Sequence, residues 1–222
     1  MTKQLGVERD LPIVPDLAFG LTPELPRPPR RPGLDVGISP MIYLRPGSWP
    51  IEDLAGYERL ITLWAEMVTA TVARRDRVHL FVSNPGDMAA VSDIWERLDD
   101  ATRAGCTIAQ LDSPDALLEF NRGMDVIVSS RLHGVLLAIV SGRPVLALSH
   151  EWKVRALMND AGVPEFCVDL ATATNDESMR LLGQLGEQLE PCGRRLRDYV
   201  ETASSALRQQ DDLIPELLRG RG

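Results

Sequence analysis

Apolar runs of six or seven residues alternate with longer stretches in which apolar side chains recur every three or four positions. The runs "LDVGIS" (34–39), "RVHLFV" (77–82), "CTIAQL" (106–111), "MDVIVSS" (124–130), "RPVLALS" (143–149) and "EFCVDL" (165–170) read as strands. They are mostly continuous rather than alternating, which predicts strands covered on both faces. Between them, 53–75 carries Leu60, Leu63, Trp64, Met67, Val68 and Val72 at helical spacing. Further helices are predicted over 87–105, 113–123, 132–142, 151–162, 176–190 and 192–219. Ser113-Pro114 is a cap followed by proline at the first helical position, and Gly142 and Gly162 stand where two helices should stop. Strand–helix alternation predicts an α/β fold, a doubly wound parallel sheet of about six strands of Rossmann-like type with C-terminal helices.

Residues 22–33, "TPELPRPPRRPG", hold five prolines and read as an extended linker. The chain therefore divides into 1–32, a short apolar piece plus linker; 33–190, the Rossmann-like lobe; and 191–222, a helical extension. In that extension Leu196, Val200, Ala203 and Leu207 form a stripe that needs covering, either by the chain's own lobe or by a second copy.

Composition narrows the field without naming a function. The 222 residues carry 24 Lys and Arg against 32 Asp and Glu, a net charge of -8, which argues against a nucleic-acid partner. Basic runs at 27–31 and 194–197 read as solvated surface. Cys106, Cys167 and Cys192 are odd in number and widely spaced, so neither a disulfide framework nor a zinc site is expected, and a reducing cytoplasm fits. No run is long enough to span a bilayer, and the polar N-terminus does not read as a signal peptide. The dinucleotide fingerprint and the phosphate-loop motif are absent, and no cofactor or metal is expected.

The chemistry concentrates in "SSRLHG", residues 129–134. Ligands of open parallel sheets bind beyond the carboxyl ends of the strands. A helix opening at Leu132 directs free backbone N–H groups there, a weak anion site. Arg131 adds a planar fork matched to carboxylate or phosphate, and His133 a group able to exchange a proton. Ser129 and Ser130 offer hydroxyls, and Gly134 lets a ligand approach the backbone. The structural alternative is that Ser-Ser caps the helix, Arg131 covers the strand end and His133 satisfies a carbonyl. Two further segments are candidates: "SHEWKVRAL" (149–157), where Lys153 could reach a phosphate, beside His150 and Arg155, and the loop 37–50, where Tyr43 and Arg45 could line the same crevice.

The segment "SSRLHGVLLAIVSGRPVLALSHEWKVRALMNDAG" resembles the closing motif of the polysaccharide pyruvyl transferase family. "VGISPMIYLRPGSWP" is similar to that family's loop after the first strand of its C-terminal lobe, and "IVPDLAFGL" to the end of its N-terminal lobe. The resemblance covers roughly residues 11–170 and rests on S-x-R-x-H-G with G-x-P-V and K-V-R downstream. It implies the C-terminal lobe of a two-lobed fold of the GT-B type. It implies transfer of pyruvate from phosphoenolpyruvate to a saccharide acceptor as a ketal, in surface-polysaccharide biosynthesis. Arg131 and His133 are the catalytic pair it implies. Ser129, Ser130, Leu132, Gly134, Lys153 and Arg45 are the expected substrate-binding residues.

Two departures stand out. Some members carry an arginine soon after "GIS", where this chain has Met41 with Arg45 nearby. The sequence also opens near the family's hinge, so the N-terminal lobe, which should supply much of the acceptor site, is expected to be missing. A truncated product, half of a split enzyme working with a separate N-terminal lobe, and a homodimer all fit. Two other readings stay open: a non-catalytic remnant that binds an anion or a partner subunit, and the donor lobe of a nucleotide-sugar glycosyltransferase.

Overall fold

The computed structural model describes residues 15–21 and 32–219, with side chains as far as residue 208. Residues 11–14, most of the Pro-rich linker and the basic run at 27–31 lie outside the described residues. Six strands form one parallel sheet: β1 (Asp35–Ser39), β2 (Arg77–Leu80), β3 (Cys106–Ile108), β4 (Val126–Ser129), β5 (Val145–Ser149) and β6 (Cys167–Asp169). Their order is β3-β2-β1-β4-β5-β6, with every neighbouring pair parallel. The chain winds outward from β1 in one direction, then returns to the other side through β4. That reversal puts a crevice beyond the carboxyl ends of β1 and β4.

The helices are α1 (Leu54–Ala73), α2 (Met88–Arg97), α3 (Asp100–Arg103), α4 (Pro114–Gly123), α5 (Leu132–Val140), α6 (Trp152–Asp160), α7 (Asn175–Glu187) and α8 (Leu189–Arg219). The predicted helix over 87–105 is two helices. Asp99 leaves helical geometry and accepts the Thr102 N–H at 2.8 Å, capping α3. Ser113 caps α4 through the Ala116 N–H, with Pro114 inside the first turn. Gly142 and Gly162 take left-handed backbone (φ 64° and 71°) just past α5 and α6, as their spacing predicts. Strands β4 and β5 are wholly buried, whereas the edge strand β3 is half open.

One contiguous core holds the layers together, with Trp64, Phe81 and Ile38 among its fully buried side chains. The stripe of α8 lies on the chain's own lobe. Leu196, Ala203 and Leu207 are buried, Ser204 Oγ donates to the Phe19 carbonyl at 2.7 Å, and Phe19 meets Tyr199 edge-on at 5.3 Å. The three cysteines are free, and burial pushes the Cys106 and Cys192 thiols up to about 11. Among the described residues no helix is long and apolar enough to cross a membrane.

At the end of the sheet away from the crevice, Asp35 accepts from Nε and Nη2 of Arg77 at 2.7 Å each. His79 Nε2 lies 2.9 Å from the same carboxylate. The Arg77 hydrogen bonds outweigh burial and hold the Asp35 carboxyl at about 2. The folded value lies below the unfolded one. The resulting stabilisation is therefore complete above about pH 4 and is lost as pH falls toward about 2. Asp35→Asn is expected to cost about 1 kcal/mol at pH 7 after solvent screening. The thermal midpoints of variant and wild type should converge on acidification, and a gap that persists at the acid end would contradict this.

Candidate functional site

Each element of the crevice follows from a local stop in the chain. Strand β4 ends at Ser129, and α5 begins three residues later with Arg131 in extended backbone at its N-cap. Neither serine caps the helix, which has no side-chain cap at all. Ser129 and Ser130 are fully buried, as is Ser39 at the paired end of β1, and none of the three hydroxyls has a hydrogen-bond partner. Buried polar atoms are almost always satisfied, so three unpaired hydroxyls set apart the carboxyl edge of β1 and β4. Gly134 is buried against this edge. A Cβ there would collide with Ser129 Oγ and come within 3.3 Å of Ser83 Oγ. The space beside the Gly134 Cα is thus taken by the protein's own hydroxyls.

Arg131 is held from two sides. Its Nε and Nη2 donate to Oδ2 and Oδ1 of Asp87 at 2.8 and 2.7 Å. Its guanidinium lies over Trp49, 5.4 Å from the ring centre. Asp87 sits in the short 3-10 turn Pro85–Asp87 before α2, and its Oδ1 also accepts the Ile42 N–H at 3.1 Å. The bidentate pair raises the Arg131 pKa against the pull of burial, so the cation is secure. Asp87 carried no signal in the sequence beyond being an acid near a helix start.

The loop after β1 and the segment after β5 meet here. Tyr43 stacks on His150 with centres 4.0 Å apart, and Trp49 stands edge-on to both, at 5.4 and 5.8 Å. His150 Nδ1 is buried without a partner. Burial, with help from the nearby Arg131 charge, lowers the His150 pKa, while Glu151 and Asp169 oppose. The ring is therefore neutral at pH 7.

The other expected site residues diverge. His133 is exposed on the first turn of α5 and lines a cavity of about 680 Å³ with Ser83, Gln110, Asp112, Ser113 and apolar residues including Leu137. Arg131 faces Asp87 and Trp49 and is not among the residues lining that cavity. Leu132 and Lys153 line a second hollow of about 420 Å³ with Trp152, Phe19 and Tyr199. Trp152 there is 74% exposed. Arg45 is turned toward the helices: its Nε lies 3.5 Å from Asp93, which also accepts the Tyr57 hydroxyl at 2.6 Å. Met41 is buried. Among the described residues no group of three or more His, Cys, Asp or Glu could hold a metal ion.

Chemically, the crevice offers one fixed guanidinium edge, the first N–H groups of α5, three buried hydroxyls and the neutral ring of His150, while His133 lines the separate cavity. That set suits a small, multiply charged anion.

Comparison with solved structures places the fold among GT-B glycosyltransferases. The O-GlcNAc transferase of Thermobaculum terrenum aligns over 90% of this chain and 39% of its own, at 19% identity and a TM-score of 0.54. The S. aureus protein TarM aligns over 82% of this chain and 35% of its own, at 16% identity and a TM-score of 0.53. At such identities the likeness is one of fold, and the chain spans well under half the length of either protein. No curated protein sequence matches the chain. The family model for polysaccharide pyruvyl transferase matches residues 1–151, which include β1 through β5 and the whole of Arg131-Leu132-His133-Gly134, and the chain belongs to that family.

Proposed function

We propose that this lobe binds phosphoenolpyruvate at the carboxyl ends of β1 and β4 and takes part in its transfer to a saccharide as a pyruvate ketal. The observation that carries the reading is the fixed cation of Arg131 beside three buried hydroxyls without partners, at the sheet's switch point. The donor has a carboxylate and a phosphate, and the guanidinium and the start of α5 supply complementary positive ends.

In the proposed reaction phosphoenolpyruvate extends from the Arg131 crevice toward the separate cavity that His133 lines, and His133 gives a proton to the methylene carbon of the enol phosphate. The neighbouring carbon becomes electron-poor, and a sugar hydroxyl adds to it. The carbon–oxygen bond to phosphate then breaks, and a second hydroxyl adds in its place. Of the two hydroxyl protons released, one replaces the proton given by His133 and the other leaves with phosphate. The N–H groups at the helix start stabilise the charge that grows on the departing phosphate.

A second reading, the donor lobe of a sugar-nucleotide transferase, draws on the cavity of about 680 Å³ beside His133, larger than phosphoenolpyruvate alone requires. Calorimetric titration separates the two. Phosphoenolpyruvate is expected to bind saturably and to be displaced by inorganic phosphate but not by uridine. Saturable binding of a uridine nucleotide, with none of phosphoenolpyruvate at millimolar concentration, would move the assignment to the second reading.

A further inference from the structure

Two of the five N–H donors of Arg131 are already committed inside the protein. The partner is fixed: the Asp87 side chain is 1% exposed and that of Arg131 is 20% exposed. A carboxylate this deeply set cannot swing aside to release the fork. Trp49 covers one face of the guanidinium, which leaves the Nη1 edge for a ligand.

We infer that Asp87 is a positioning residue that fixes the plane of Arg131 so that its Nη1 edge, and not its Nε–Nη2 fork, meets the bound anion. The same carboxylate holds the Ile42 N–H, so it also ties the arginine to the loop that carries Tyr43 and Trp49. One acid thereby sets the relative placement of α5, the turn before α2 and the loop after β1. The gain is preorganisation: an arginine held in one rotamer loses little freedom when the ligand arrives. The inference rests on the reading that Arg131 holds phosphoenolpyruvate.

The test uses the full chain with Asp87→Asn, Arg131→Lys and the double variant. Asparagine keeps an acceptor for the Ile42 N–H but loses the paired carboxylate oxygens. Phosphoenolpyruvate binding should weaken roughly ten- to thirtyfold in Asp87→Asn. In the Arg131→Lys background the same change should have almost no further effect, because an ammonium has no plane to fix. In the unliganded wild type, the Arg131 Nε–H should give a resolved nitrogen-edited NMR signal with slow rotation about Nε–Cζ. Freely rotating guanidinium in the wild type would overturn the inference whether or not any variant folds. Unchanged affinity in Asp87→Asn would overturn it and leave the reading of Arg131 standing. A wild type that does not bind phosphoenolpyruvate at all would overturn that reading instead.

Discussion

His133→Ala is expected to lower ketal formation about 10²–10⁴-fold, the usual effect of removing a positioned acid or base. Binding of phosphoenolpyruvate should hardly change, because the imidazole is assigned to the transition state and not to the grip on the anions. Stability should also hold, since His133 is an exposed residue on the cavity wall and its truncation leaves no core void. The measurement is single-turnover release of phosphate together with mass detection of the pyruvylated sugar, with any separately encoded acceptor lobe present. Wild-type rates in the variant would remove His133 from the chemistry. His150 is not assigned the acid's role. Burial lowers its pKa and keeps the ring neutral at pH 7, where the cationic form that would serve as the acid is scarce.

Arg131→Ala should do two kinds of damage at once. It removes the cation that holds the donor, so binding of phosphoenolpyruvate should fall below detection. It also leaves Asp87 as a buried carboxylate whose remaining side-chain hydrogen bond among the described residues is with the Ile42 N–H. Stranding one member of a buried pair costs about 3–5 kcal/mol. For a chain of this size that is roughly a 6–20 °C drop in Tm. Replacing both members, as in Asp87→Asn with Arg131→Met, should recover much of the stability and none of the binding, because no charge is left buried and the amide oxygen still accepts the Ile42 N–H. Calorimetry of the two variants beside the wild type decides it. An unchanged Tm in the single variant would mean that Asp87 does not depend on Arg131.

The sequence carried the alternation of strands and helices because each buried strand and each amphipathic face writes its own period. The start of α5 at Leu132 and the caps at Ser113, Gly142 and Gly162 were legible for the same local reason. The break at Asp99 was missed, because periodicity runs straight through it and the capping aspartate reads as one more helical residue. The strand order was not, because hydrophobic pattern does not say on which side of β1 the chain returns. In the site, Arg131 and His133 stood out as polar groups two positions apart between apolar runs, whereas Asp87 lies 44 residues from its arginine. Tyr43 and His150 had each been candidates in separate segments. Only the pairing of β1 with β4 and of β4 with β5 brings those segments into contact.

The tight seat of Gly134 on Ser129 has a consequence for how such a pocket can diversify. With no slack between helix and strand, that jaw is rigid, and sliding α5 by even a methyl's width would force the sheet edge apart. Under the proposed function, tolerance for differently shaped ligands is then expected from the loop after β1 that carries Tyr43 and Trp49. Libraries that test this should vary the partly exposed positions of that loop and leave residues 129–134 alone.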